Sequence, residues 1–384
     1  MADALRTHLD LTDEQEMIRD TVREFAADQL RGSAHERDEK QQFPAEPLAA
    51  LAELGMLGVA FPEAVGGADG DVLSLMIALE ELAHACGSTA LTIGAHIANC
   101  GWPIFALGND EQKQAHLPAI CSGEVLGALA VADPVAGTGI DGGPLVATRD
   151  GDNWVLNGTK IQVVNAGEAG KLVAIAHQGA ADGPLAAFVL DTTTAGVDRS
   201  DRLATLGMRA ADMRHVAFRG VKLPASACLS TDAVAVEAAL DVPRLALAAI
   251  ALGLGRAALD QATEYCKARK QFDTPIVKFA AVADRVAAIA TRSEAARHLL
   301  VHAARLADAG RPFAREARIA KIVASEAAVQ STFDAIQVFG GNGYSREYPV
   351  ERMWRDARFT SLAGSTNEQL RDGLVNELVG EFPA

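Results

Sequence analysis

Apolar residues recur at three-to-four spacing from Thr12 to about residue 123, with Ile18, Val22, Phe25 and Ala26 falling on one helical face. Thr12 followed by Gln15 is a capping-box signature at the start of the first helix. The same period returns over residues 47–58 and 73–86, while Pro and Gly clusters at 61–70 and 101–103 predict connections. Between residue 124 and about 230 the texture changes to short apolar or alternating runs, WVLNGTK, KLVAIAHQ, LAAFVL and HVAFRGVKLP, divided by Gly, Asp and Asn, which predict strands and turns. A Gly-rich stretch over 134–144 predicts a loop. From residue 231 onward Ala-rich helical patterns run over about 231–269, 276–310, 315–339 and 366–379, and four long helices predict a bundle. Helices, then strands, then helices, without βαβ alternation, give an α+β chain in three parts: an N-terminal helical domain over 1–123, a middle β domain over 124–230, and a C-terminal four-helix bundle over 231–384.

Composition narrows the partners. The 384 residues carry 35 Lys and Arg against 50 Asp and Glu, a net charge of −15, which repels phosphate backbones and anionic lipid headgroups. Neither nucleic acid nor a membrane surface is an expected partner. The longest apolar run, residues 245–255, is too short to cross a bilayer, and the acidic N-terminus lacks a signal peptide's apolar core. Five cysteines without a Cys-x-x-Cys pair predict neither a zinc site nor a disulfide framework, so the expected location is the cytoplasm.

Local motifs name no reaction by themselves. FGGNGY at 339–344 lacks the third glycine of a dinucleotide fingerprint, because Arg346 stands there. His298, His302 and Glu294 share a helical face, but nothing nearby supplies a further ligand, so a solvated face is expected. No Walker motif or Gly-x-Ser-x-Gly elbow occurs.

Longer stretches carry a resemblance. DPVAGTGIDGG followed by DGDNWVLNGTK is similar to the Glu-Pro-x-Ala-Gly-Ser-Asp stretch and downstream Leu-Asn-Gly-x-Lys of the acyl-CoA dehydrogenase family. LGMRAADMRHVAFRGVKLP resembles the strand pair that closes that family's middle domain. ATEYCKARKQFDTPI resembles its Tyr-x-x-x-Arg-x-x-Phe-Gly-x-Pro-Ile segment, and DAIQVFGGNGYSREYPVERMWRDAR matches almost residue for residue. The resemblance spans essentially the whole chain. It implies a helical domain, a β-barrel or sandwich domain and a four-helix bundle, with FAD as cofactor, an acyl-CoA substrate and an electron-transfer acceptor. A carboxylate takes the α-proton while the β-hydrogen leaves as hydride, so base and flavin face each other across the acyl chain.

In that family the flavin sits across a subunit boundary, and the sequence departs from the pattern unequally on the two sides. RDARFTSLAGSTNEQLR aligns without a gap to the segment bearing the catalytic Glu, and Gly364 occupies its position. The alternative base position, before the Arg of Leu-Asp-x-Glu-Arg, holds Pro243. No catalytic base is therefore expected in this chain. Three flavin-ring positions are altered as well, to Ala132, Gln162 and Val164. By contrast, the residues that the resemblance assigns to the dinucleotide persist: Arg269, Gln271, Phe272, Gln337, Gly340, Gly341, Thr366 and Glu368, with the first six implied to reach a neighbour's cofactor. Asp273 and Ala280 depart from the pattern on this side.

The resemblance thus implies the base-deficient subunit of a hetero-oligomeric acyl-CoA dehydrogenase, like those of actinobacteria. A homologous partner would carry the catalytic Glu, and the substrate would be a steroid side-chain or other bulky acyl-CoA. Two alternatives stand beside it: a homo-oligomeric dehydrogenase with a relocated base, with Asp241, Glu80 and Glu81 as candidates, and a non-enzymatic acyl-CoA-binding scaffold.

Overall fold

The computed structural model describes residues 10–134 and 143–380. The Gly-rich loop expected over 134–144 lies almost entirely outside them.

Seven helices form the N-terminal domain: α1 (Asp13–Phe25), α2 (Ala34–Lys40), α3 (Ala45–Glu53), α4 (Val72–Ala85), α5 (Gly87–Gly94), α6 (Trp102–Leu107) and α7 (Asp110–Cys121). The expected capping box opens α1, with Thr12 accepting the Gln15 amide and Gln15 accepting that of Thr12. Residues 101–103 do not form a connection. A π-helical turn, Ala95–Gly101, runs straight into α6, so Pro103 lies inside a continuous helix, and the wider π-helical turn before it accommodates the N–H that proline lacks.

The middle domain comprises β1 (Gly127–Ala130), β2 (Val146–Asp150), β3 (Asn153–Val164), β4 (Lys171–Gln178), β5 (Leu185–Asp191), β6 (Val197–Arg199), β7 (Met213–Leu223) and β8 (Cys228–Ser230). They form one eight-stranded sheet in the order β6-β7-β3-β2-β4-β5-β8, with β1 pairing parallel to β4. The sheet curls around a core of its own: Trp154 of β3 meets Phe188 of β5 edge-on at 5.2 Å, although two strands separate them in the sheet.

The C-terminal part contains α8 (Ala233–Ala238), α9 (Asp241–Ala268), a hairpin of β9 (Lys270–Gln271) and β10 (Thr274–Pro275), α10 (Ala280–Asp308), α11 (Ala314–Phe339), α12 (Val350–Thr360) and α13 (Asn367–Val379). The helical stretch Ala233–Ala268 is long and apolar enough to pass a membrane-span test, contrary to the sequence estimate from its short apolar run. It is nonetheless a core element, almost wholly buried between α4, α10 and α11.

The close crossing of α4 and α9 joins the first and last domains. A Cβ at Gly253 would lie 2.7 Å from Cβ of Ala83 and would also strike the Glu80 carbonyl oxygen. Next to it, Arg256 donates to Glu80 at 2.6 Å and Glu81 at 3.1 Å, while Arg297 reaches Glu80 at 2.9 Å and Arg23 reaches Glu81 at 3.2 Å. All but Arg23 are buried, so the carboxylates are neutralised inside the protein. A second tie is Asp356 of α12, fully buried, which accepts the Met208 amide at 2.5 Å and so fastens the middle domain to the bundle.

Two outcomes are expected. Gly253→Ala should destabilise the protein by about 3 kcal/mol, the cost of overpacking a rigid contact, read as a lowered unfolding midpoint. Burial pushes the Asp356 carboxyl up to about 6, against an ordinary 3.8. The folded state therefore binds the extra proton between these values, and this contribution to stability is lost as pH rises through 6. Asp356→Asn should flatten the fall in melting temperature between pH 5 and 7.5; an unchanged pH profile would contradict the assignment.

Candidate functional site

Two sets of the residues singled out by sequence lie at opposite ends of α9. Its first turns carry Pro243, Arg244 and Leu247, and position 364 faces them. A Cβ at Gly364 would lie 2.6 Å from Cδ1 of Leu247 and 4.0 Å from Cγ of Arg244. Position 364 thus faces the turn of α9 that follows Pro243, and neither of the two residues that the resemblance sets at base positions bears a carboxylate. Gly364 has φ +63° and Ser365 +73°, a left-handed pair that the glycine adopts freely and a side chain at 364 would strain.

The segment 361–367 is pinned from below. Lys321, fully buried on α11, donates to the carbonyls of Ser365 at 2.8 Å and Ser361 at 3.3 Å and to Oδ1 of Asn367 at 2.9 Å. Burial, reinforced by Arg244, pulls its ammonium down to about 8. Thr366 caps α13 by accepting the Gln369 amide, and Glu368 lies exposed in the first turn, its carboxylate held low by its own amide and the Thr366 hydroxyl.

The relocated-base candidates are all occupied. Asp241 accepts from Arg244 at 2.6 Å, Arg244 also holds Glu237 at 2.5 Å, and Glu80 and Glu81 are the carboxylates of the α4–α9 cluster. Each is a buried ion-pair partner, so the packing offers none of them as a free base.

The altered flavin-ring positions are brought together on the middle domain. The Ile161 amide donates to the Ala132 carbonyl at 2.8 Å, which lays residue 132 beside the end of β3. There a bulge turns Gln162 outward at φ +52°, its amide on Nδ1 of His215, while Val164 is buried. Neither Ala132 nor Val164 offers a side-chain hydrogen bond.

At the other end of α9 the implied dinucleotide residues converge. Arg269 caps the helix through its amide to Tyr265 at 2.8 Å, and its side chain makes no hydrogen bond or ion pair among the described residues. The hairpin that follows turns at Phe272 and Asp273, φ +51° and +58°, with Gln271 opposite Thr274. Two positive φ values make a type I′ turn, in which Asp is tolerated, so Asp273 replaces the family's glycine without breaking the hairpin. Phe272 projects from the tip 92% exposed. One turn before Arg269, Tyr265 stacks on Phe339 at 4.0 Å and receives a hydrogen bond from Asn342 at 2.8 Å, which docks the end of α11 beside it. Gln337, Gly340 and Gly341 are thereby exposed on the same end. Gly340, at φ +60° and ψ −136°, has a conformation that only glycine adopts readily, whereas a Cβ at Gly341 would meet nothing within 4 Å.

Thr366 and Glu368 do not belong to this group. Their chain neighbours Ser365 and Asn367 are held by Lys321, some 16 residues from Gln337 along α11, or about 24 Å at the helical rise. Arg244 and Arg269 stand about 37 Å apart on α9 by the same measure.

Against this geometry, family profiles match in chain order: "Acyl-CoA dehydrogenase, N-terminal domain" over residues 12–124, "middle domain" over 128–221 and "C-terminal domain" over 233–378. The chain belongs to the acyl-CoA dehydrogenase family. It is 36% identical over 378 residues to the probable acyl-CoA dehydrogenase YngJ of Bacillus subtilis, covering 97% of this chain and 100% of the relative. It is 38% identical over 363 residues to the short-chain specific acyl-CoA dehydrogenase of Clostridium acetobutylicum, covering 93% and 96%. Among solved structures, butyryl-CoA dehydrogenase from Megasphaera elsdenii superposes with a TM-score of 0.91 at 35% identity, covering 97% and 100%.

Acyl-CoA dehydrogenases bind FAD, and the residues of this chain fit that group unequally. An unpaired Arg269 and open space above Gly341 suit phosphates arriving from outside. The ring side lacks polar side chains at 132 and 164. Sequence reasoning missed Leu247 and Lys321; the latter had a signal, since Ala317, Ala320, Lys321, Ala324 and Ala328 share one helical face and so place the lysine toward the core.

Gly341→Val should leave the melting temperature unchanged while lowering bound flavin in the assembled protein. Retained flavin would show that no ligand approaches that backbone.

Proposed function

We propose that this chain is the base-deficient subunit of a hetero-oligomeric, FAD-dependent acyl-CoA dehydrogenase, located in the cytoplasm, and that it completes the cofactor site of a homologous partner. The observation that carries the reading is that glycine stands at 364, facing the first turns of α9, and proline at 243, while Asp241, Glu80 and Glu81 are each committed to an ion pair. Family membership supplies the reaction, α,β-dehydrogenation of an acyl-CoA thioester, with electrons passed to an electron-transfer acceptor. FAD, when bound, supplies the hydride acceptor.

In this reading the partner contributes the catalytic Glu and the ring contacts. This chain's Arg269 forks onto phosphate oxygens, Gln337 and Gln271 flank them, Phe272 covers the dinucleotide from the hairpin tip, and Gly340 and Gly341 admit it to the end of α11. Thr366 and Glu368, lying far from that end, line the chain's own altered ring site instead. A subunit freed from turning over its own substrate leaves room for a bulky acyl group, such as a steroid side chain, beside the partner's site.

The test is reconstitution. The chain purified alone should not dehydrogenate acyl thioesters, the co-expressed complex should, and Arg269→Ala in this chain should lower flavin content and activity together while both subunits stay folded. Gly364→Glu in the lone chain should not create a dehydrogenase. Turnover by the unmodified chain alone overturns the proposal.

A further inference from the structure

A cleft of about 670 Å³ is lined by one face of α9, by the chain at the start of α2 and by the chain at the start of α12. Ala257, Asp260, Gln261, Glu264 and Lys267 recur at helical spacing and give the α9 face; Arg31 and His35 come from the second segment, Arg346, Tyr348 and Arg352 from the third. None of the residues that the resemblance assigns to the dinucleotide lines it. Its charges are unequally partnered. Asp260 accepts from His84 at 2.8 Å, Glu264 pairs with Lys267 at 3.4 Å, and Arg346 is held by Glu39 at 3.0 Å. The side chains of Arg31 and Arg352 make no hydrogen bond or ion pair among the described residues, and the lining carboxylate left beside them, Glu347, is exposed. Arg352 is half-buried, so it gives up part of its hydration without a protein partner in return.

We propose that this cleft is a second ligand site, which takes a nucleotide by its phosphate. A carboxylate is satisfied by one guanidinium fork, whereas a phosphate monoester brings a second charge and a third oxygen, and so matches two unpaired arginines. The volume far exceeds that of a bare phosphate and lies in the range of sites for small organic ligands. Leu259, Pro349, Met353 and the half-buried Tyr348 supply the apolar lining that a nucleoside packs against. Two sources share this chemistry, a free mononucleotide such as AMP and the nucleotide end of CoA. The inference does not depend on the proposed function, since neither Arg31 nor Arg352 takes part in that reading.

Calorimetric titration of the full chain with AMP, CoA and inorganic phosphate tests the site. AMP and CoA should bind more tightly than inorganic phosphate, and Arg31→Gln and Arg352→Gln should each weaken that binding about tenfold, the loss of one charge-assisted contact, while Arg269→Ala leaves AMP binding unchanged. Tighter binding of CoA assigns the site to its nucleotide end, and tighter binding of AMP to a free mononucleotide; either order supports the proposal. A measurement on the unmodified chain guards against misfolded variants: AMP should slow amide hydrogen exchange over residues 31–35 and 346–353. Absence of nucleotide binding, affinity no better than that of inorganic phosphate, or binding lost with Arg269→Ala and kept in both glutamine variants overturns the site. So does protection confined to 269–272 and 337–341, which would place the nucleotide among the dinucleotide residues.

Discussion

Helix α9 and its crossing with α4 are the constraint on which the rest depends. At Gly253 the two backbones touch, and the buried Arg256–Glu80–Glu81 cluster next to it makes the crossing specific: removing either sign would leave uncompensated charge in the core. Because α9 also packs on α10, α11 and α12, fixing it against α4 fixes the bundle against the N-terminal domain. Asp356 then adds the middle domain through the Met208 amide.

A rigid helix of 28 residues, about 42 Å long, keeps its two ends chemically independent. The first turns of α9 face Gly364 and the last turn presents Arg269. Changes at one end need not propagate to the other, since the intervening turns are locked by the α4 crossing. Under the proposed function, this explains how a chain can keep Arg269 and its neighbours turned outward at one end of α9 while glycine stands at 364 beside the other. Left-handed backbone marks both ends of the helix, at the hairpin tip, where Phe272 has φ +51°, and at Ser365, φ +73°.

Much of this was legible in the sequence because the signals were local. Thr12 and Gln15 specify a cap by their spacing alone, and the runs that became β3, β4, β5 and β7 alternate or concentrate β-formers between turn residues. That positions 364 and 243 carry no carboxylate was legible because glycine and proline stand there in the sequence. What was hidden depends on three-dimensional packing. Pro103 reads as a break, yet the chain stays helical through it because a π-helical turn precedes it. Leu247 looks like any core leucine until the loop at 364 is folded over it, and the commitment of Asp241 to Arg244 appears only when α9 is built. The separation of Thr366 and Glu368 from Gln337 likewise required knowing which end of α11 each one meets.

The central claim is an unequal division of labour between two kinds of subunit, and the flavin-to-protomer ratio measures it most directly. Purified from co-expression with its partner, the complex is predicted to hold one FAD for every two chains, and the lone chain to hold almost none. A lone chain that retains one FAD per protomer through purification would contradict the account.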